Sequence, residues 1–245
     1  MYTVRNIVLR SGEEMESLSV LEKIIISITY GIVVGLITVP LSKKLALSRT
    51  EDPGQLAPLS KAPLRIAAFA LGIAASAGIV FTADAPELLI RNLLLLVPIF
   101  SISFVDALVR KIPNPLLLVM IAINLVYIVY VCVSTKSTIQ IPKSFIGLFF
   151  GALVCYIPSV LKIPMGAGDI KYSAVIGLTV YAMGYFQSML LMAVFVALFF
   201  AYLKISKKGG LKTQIPMGPF LSIGTVVTMC VSFFELIDVN IERLM

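Results

Sequence analysis

A chain of 245 residues that is 59% hydrophobic and only 13% charged is too apolar for a soluble domain, which usually has about 45–50% apolar and 25% charged residues. The absence of histidine excludes Ser–His and Cys–His nucleophile pairs and histidine-ligated zinc. The net charge of +7 would suit nucleic acid in a soluble protein. Here the basic residues fall in short loops, so the charge sets orientation in a membrane, and we expect no nucleic-acid partner.

The apolar residues form blocks of about 20, the length that crosses a bilayer as a helix. We therefore predict an all-α, polytopic membrane protein with about eight transmembrane helices. The polar residues 1–20 carry acidic side chains directly before the first apolar block, which argues against a removable signal peptide. The predicted spans are 22–40, 64–82, 88–105, 115–133, 144–161, 170–186, 188–203 and 217–236. A very short hairpin near Gly184 and Gln187 has to separate the sixth span from the seventh.

Orientation follows from the loops. Eight spans place both termini on one side of the membrane, and most of the 20 basic residues fall in loops on the other side. Basic loops mark the cytoplasmic side of a membrane, so both termini are predicted to lie outside. Asp106 and Asp169 belong to the basic face. The three cysteines, Cys132, Cys155 and Cys230, lie inside apolar blocks and show no metal or disulfide spacing.

Asp106 and Asp169 are the candidate catalytic residues. An ionisable residue at the end of a membrane span is costly to keep and indicates a site. Two carboxylates brought together do not both ionise easily, and one ionised with one protonated carboxyl group is what an aspartic protease uses. Asp169 begins the sixth span, where the helix dipole favours an anion and hence a base. The alternative is that each aspartate is a solvated or helix-capping residue.

Three short motifs lie on the same predicted face. Gly166 and Gly168 allow backbone turns that residues with side chains disfavour, and they leave room for an extended substrate. The alternative is that such glycines serve close helix packing. Asn114 and its neighbouring proline begin a helix well without any function. The motifs are Asp106 followed by Lys111-Ile112-Pro113-Asn114, then Met165-Gly166-Ala167-Gly168-Asp169-Ile170-Lys171, and Gln214-Ile215-Pro216-Met217-Gly218-Pro219-Phe220.

Together these motifs, spanning about half of the chain, resemble the type IV prepilin peptidases, the GxGD membrane aspartic proteases. The resemblance implies that Asp106 and Asp169 are catalytic and that the basic leader of a type IV prepilin or pseudopilin is removed at the cytoplasmic face of the inner membrane. It also implies a supporting loop of Gly166, Gly168, Lys171, Pro113 and Asn114, and a possible substrate-site loop of Pro216, Met217, Gly218 and Pro219. Met217 stands where the bacterial members usually have phenylalanine.

The sequence shows no metal-binding spacing and no soluble domain, so we expect no metal and one membrane-embedded domain over 1–245. Its N-terminal spans and a loop lie in 1–90, and the peptidase core lies in 91–245. Many bacterial members carry two Cys-x-x-Cys pairs after the first span, linked to N-methylation of the product. The loop 41–63 has no cysteine. We therefore expect no cofactor, with S-adenosylmethionine required only if methyltransferase activity is retained.

Three other interpretations are open. Presenilin-type proteases also use GxGD, but they add a Pro-Ala-Leu motif that this chain lacks. An archaeal preflagellin peptidase is a closer relative, although the Ile-Pro-Met-Gly-Pro-Phe stretch favours the bacterial branch. A proton- or cation-coupled transporter would use the same two aspartates with broken helices. Such a protein would place its acids at the centres of spans, where only Asn124 is strongly polar.

Overall fold

The computed structural model describes residues 18–50, 53–56, 59, 62–161, 166–206 and 216–233. Over these residues the fold is all-α, as predicted, with a short 3₁₀ turn at Pro53–Leu56. The predicted position of the termini, residues 162–165 and 207–215 of the motif loops, and the last residues of the eighth span lie outside the described residues. The helices are α1 (Val20–Leu47), α2 (Ala62–Thr82), α3 (Pro86–Val109), α4 (Asn114–Thr135), α5 (Gln140–Val160), α6 (Ala167–Ile205) and α7 (Met217–Cys230).

Six of the described helices, α1 to α6, are long and apolar enough to cross a membrane. Large apolar side chains such as Val126 and Val133 are more than two-thirds exposed on their outer surfaces, as expected for helices that contact lipid. The chain is therefore a multi-pass membrane protein. The local sequence explains the helix ends, since a capping box joins Ser19 to Glu22 before α1, and Arg110 ends α3 in the left-handed conformation.

Helix α6 reverses direction at Tyr181, which has φ 60° and ψ −179°. A straight helix of its 39 residues would be about 58 Å long, far more than the roughly 30 Å of a bilayer core. Its first arm contacts α7 through Tyr172 and Ser222, whereas the second arm brings Ser188 back to Gly224. The two arms therefore pass α7 in opposite directions and correspond to the sixth and seventh predicted spans. The predicted break near Gly184 and Gln187 lies a few residues too late.

Small residues and hydrogen bonds join the helices. Inside a membrane the hydrophobic effect does not drive helices together, because lipid tails are as apolar as the side chains, so close packing and hydrogen bonds have to do so. A Cβ atom on Gly147 of α5 would collide with the carbonyl oxygen of Gly177 in α6, and one on Gly177 would collide with that of Gly147. Deeper in the bundle, Asn124 of α4 donates a hydrogen bond of 2.9 Å to Thr179 Oγ1 of α6. The apolar core between α3, α4, α6 and α7 includes Leu95, Ile99, Met120, Tyr172, Ile176 and Leu221.

Helix α1 is longer than the predicted span and continues through Pro40 to Leu47. The additional residues are stabilised by packing, since Ala46 is fully buried in a cluster with Leu56, Leu59 and Val105. Helix α3 likewise continues past residue 105, so Asp106 lies in its last turn instead of in the following loop. Both extensions place helical backbone around the same end of the bundle.

Replacing Gly177 with valine should destabilise the protein. The new side chain has no room against the backbone of α5, and overpacking of this kind costs about 1–3 kcal/mol. Ala193→Val, on an exposed position of the same helix, is the matched control. The thermal unfolding midpoint in detergent should fall for Gly177→Val and stay near wild type for Ala193→Val; equal midpoints for the two variants would contradict this packing.

Candidate active site

Asp106 is held at the C-terminal end of α3. Its backbone carbonyl accepts the N–H of Arg110 at 2.9 Å, where the left-handed conformation of Arg110 ends the helix. The side chain is only 4% exposed. One carboxylate oxygen, Oδ2, accepts a hydrogen bond of 2.9 Å from the backbone N–H of Gly218 in the first turn of α7. Two chain segments that are far apart in sequence therefore fix this carboxylate.

Gly218 is buried against Asp106 and has no room for a side chain. A Cβ atom there would lie 2.7 Å from Asp106 Oδ2 and 2.9 Å from Asp106 Cβ. Pro216 precedes the helix in an extended conformation, with φ −65° and ψ 127°. Met217 and Pro219, the other members of the predicted substrate-site loop, are half-buried beside it. The glycine thus allows the start of α7 to approach the carboxylate closely enough to donate its N–H.

Asp169 occupies the opposite kind of helix end. It is the third residue of α6, after Gly166 in the N-cap position with φ −68° and ψ 136°. Its side chain accepts a hydrogen bond from the backbone of Gly166, which is one half of a capping box. A Cβ atom on Gly166 would lie 2.8 Å from Asp169 Oδ2. The carboxylate is half-buried, so it is more accessible than that of Asp106.

The loop between α3 and α4 joins the two aspartate segments. A Cβ atom on Gly168 would lie 3.2 Å from Cβ of Ile112, so the start of α6 packs directly on this loop. Pro113 is buried and occupies the N-cap position before α4. Asp169 lies close enough to act electrostatically on Asp106, as does Arg110. The structure therefore brings the three motifs together at one end of the bundle.

Two predicted supporting residues lie at the edge of this arrangement. Lys171 and Asn114 are exposed, and among the described residues neither donates a hydrogen bond to a carboxylate of the pair. Lys111, also exposed, instead donates a hydrogen bond of 3.0 Å to the backbone carbonyl of Arg49, beyond the end of α1. This contact connects the α3–α4 loop to the segment that follows the first helix.

Tyr172 is a site neighbour that the sequence analysis missed. It is fully buried, its hydroxyl shares a hydrogen bond with Ser222 Oγ, and it lies close enough to interact electrostatically with Asp106. Spacing could have found it, because residues three or four positions apart share a helix face. Tyr172 follows Asp169 by three positions, and Ser222 follows Gly218 by four.

Opposed helix dipoles distinguish the two carboxylates. The C-terminal end of α3 places partial negative charge near Asp106, whereas the N-terminal end of α6 places partial positive charge near Asp169. The environment therefore favours the anion at Asp169 more than at Asp106, although the Gly218 N–H offsets part of this difference. Two unlike carboxyl groups at one site can serve as a base and an acid.

Residues 93–203 match the model of the type IV leader peptidase family. This segment, a little under half of the chain, is similar to that family. It contains both aspartates, α4, α5 and nearly all of α6, so the resemblance seen in the motifs is confirmed over this part of the chain. Gly218 and the start of α7 lie beyond the matched residues. Searches of curated proteins and of solved structures found no match to this chain.

Similarity to a leader peptidase family supports a peptidase and favours that interpretation over a transporter. The polar residue at a span centre also has a structural explanation. Asn124 is buried and its amide donates hydrogen bonds to the Met120 carbonyl and to Thr179 Oγ1. Its amide group thus joins α4 to α6.

A cysteine pair at Ile112 and Gly168 should form a disulfide. The separation of 3.2 Å between the Cβ positions is close to the 3.5–4.5 Å of natural disulfides. A backbone shift of a few tenths of an ångström would bring it into that range. Ile112→Cys with Gly168→Cys should cross-link under mild oxidation, as detected by the mass of the linked peptides.

Two controls test this geometry. Each single variant reports any pairing with the native cysteines. Gly168→Cys with Lys136→Cys places the second thiol after α4, at the opposite end of the bundle, and should give no link. Linkage of this distant pair, or none at Ile112 and Gly168, would contradict the packing of α6 on the α3–α4 loop.

Proposed function

We propose that this protein is a membrane aspartic endopeptidase that removes the basic leader peptide of type IV prepilin-like proteins at the cytoplasmic membrane face. Asp106 and Asp169 are its catalytic pair. The observation that carries the proposal is the meeting of three distant motifs: the carboxylate of Asp106 accepts the N–H of Gly218, and Asp169 lies within electrostatic reach. Helix capping alone does not require two acids from different helices to share one site.

The proposed mechanism assigns the base to Asp169 and the acid to Asp106. Asp169, ionised at the start of α6, takes a proton from a water molecule as the water oxygen attacks the scissile carbonyl carbon. Protonated Asp106 gives its proton to the carbonyl oxygen, and the tetrahedral intermediate forms. When the C–N bond breaks, the proton held by Asp169 passes to the leaving nitrogen, and the carbonyl oxygen returns its proton to Asp106. Acid–base catalysis of this kind contributes typically 10²–10⁴-fold each.

The two aspartates are accessible enough for an extended peptide substrate to reach them. Asp169 is half-buried, and Gly166 and Ala167 beside it are exposed, so a peptide can approach the base from the end of the bundle. Gly166 and Gly168 carry no side chains to obstruct it. We assign Pro216, Met217 and Pro219 to the wall of the substrate site, because Gly218 between them touches Asp106.

The predicted orientation places this end of the bundle at the cytoplasm, where the basic leader of a prepilin or pseudopilin would be present. Arg49, Arg110 and Lys111 lie at the same end as the two aspartates, in keeping with the positive-inside rule. The cysteine-free loop 41–63 argues for cleavage without methylation, and the mass of the mature pilin N-terminus tests this point directly.

Asp106→Asn and Asp169→Asn should each reduce prepilin processing by at least about 100-fold, because each removes one acid–base partner. Processing is followed by the mobility shift of a co-expressed prepilin, with membrane levels of each variant measured in parallel. Glu22→Gln is the matched control, since it also changes a carboxyl group to an amide but retains a capping-box residue. Near-normal cleavage by either aspartate variant at normal membrane level would overturn the assignment.

Gly218→Ala should lower processing at least tenfold while leaving both aspartates in place. The added methyl group would lie 2.7 Å from Asp106 Oδ2, so either the carboxylate or the start of α7 has to move. Gly224→Ala on the same helix is the control, because its methyl group would collide with the Ser188 backbone and not with the site. Equal losses for the two variants at equal folded amounts would show that general packing, and not Asp106 placement, causes the effect.

A further inference from the structure

A polar cavity of about 630 Å³ lies at the end of the bundle opposite the two aspartates. Its walls come from the end of α2, the starts of α3 and α5, the bend of α6 at Tyr181, and the end of α7. These are the helix ends that the predicted topology assigns to the outer side. Nothing in the proposed peptidase mechanism uses this cavity.

An apolar groove of about 560 Å³ runs between α3 and α4 on the outer surface of the bundle. Leu94, Ala122 and Val126 line it, and Val126 is 71% exposed. A groove of this composition on a lipid-facing surface suits a hydrocarbon chain. Arg91 lines both the groove and the polar cavity, so the two spaces meet at one side chain.

Arg91 is a buried charge without a carboxylate partner among the described residues. Its side chain is 6% exposed, donates hydrogen bonds of 3.1 and 2.8 Å to Asn92 Oδ1, and lies 4.4 Å from the centre of the Tyr127 ring. A neutral amide and an aromatic face orient the guanidinium but do not neutralise it. Burying an uncompensated charge is costly, so the position indicates an anion, and guanidinium groups match phosphate well.

The other walls carry both signs of charge. Lys143 adds a second cation to the polar cavity, whereas Asp84 lies in that cavity and Glu87 in the groove. Gln140, also in the cavity, has a buried Oε1 that accepts no hydrogen bond from the described residues. Carboxylates and an unused acceptor next to a phosphate site suit a ligand that also carries a hydrogen-bonding cation.

We propose that the cavity and the groove together bind one zwitterionic glycerophospholipid of the outer leaflet. One acyl chain lies in the groove between α3 and α4, the phosphate binds Arg91, and a protonated primary amine faces Glu87 and Gln140. The lipid neutralises Arg91 and closes the gap between α3 and the bend of α6. This site is separate from the two aspartates, and its existence does not depend on the proposed peptidase activity.

Lipid retention by the purified protein tests the proposal. The protein is delipidated in detergent, mixed with equal amounts of phosphatidylethanolamine and phosphatidylglycerol of the same acyl chains, and weighed by native mass spectrometry. Inorganic phosphate is added in a separate arm. We expect one phosphatidylethanolamine per protein, retained at least tenfold over phosphatidylglycerol and not displaced by phosphate.

Two variants separate the head-group and chain contacts. Arg91→Gln removes the phosphate partner, and Ala122→Phe fills the groove from an exposed position without changing charge; each should lower retention at least tenfold. Lys136→Gln removes an exposed cation near the same end that lines neither space, and it should retain the lipid. If Arg91→Gln does not fold, Ala122→Phe carries the test alone.

Three results would overturn the proposal. Preference for phosphatidylglycerol would show that the site binds anionic lipids and does not recognise the amine. Displacement by phosphate would show that free phosphate is the ligand. Retention unchanged by either variant would show that the lipid binds elsewhere on the surface.

Discussion

The hydrogen bond from the Gly218 N–H to the Asp106 carboxylate is the contact on which the candidate site depends. It joins the last turn of α3 to the first turn of α7 at 2.9 Å. The first N–H groups of a helix have no partner within the helix, so α7 can donate one of them to a side chain at no cost to its own structure. Only glycine permits this approach, and the carboxylate gains a fixed position in a buried environment.

The sequence allowed the spans and the motif faces to be predicted because both depend on local patterns. Apolar blocks of about 20 residues identify helices whatever their neighbours are, and the alternation of loops places Asp106 and Asp169 on one face. Loop order predicts that Gly218 lies on the same face of the membrane as the two aspartates. Its hydrogen bond to Asp106, however, depends on how α3 and α7 pack. No local pattern encodes that distance.

The features that the sequence analysis missed are set by tertiary contacts. The extension of α1 to Leu47 depends on burial of Ala46 against Val105, although a proline precedes it. The bend of α6 falls at Tyr181 and not at the nearby glycine, because Gly147 and Gly177 bring α5 and the first arm of α6 into backbone contact just before it. A turn that glycine would accept locally is therefore placed by helix packing at a tyrosine.

The position of the two aspartates at helix ends allows the protein to keep carboxylates in a membrane. A carboxylate at the bilayer centre is expensive, whereas a helix terminus offers backbone N–H groups and access to water. Asp169 lies in the N-terminal turn of α6. Asp106 lies at the C-terminal end of its own helix but accepts a hydrogen bond from an N–H in the first turn of α7. Each acid is thus paired with the start of a helix. The two carboxyl groups differ in their own helix dipoles, and this difference favours a proton on Asp106 and the anion on Asp169.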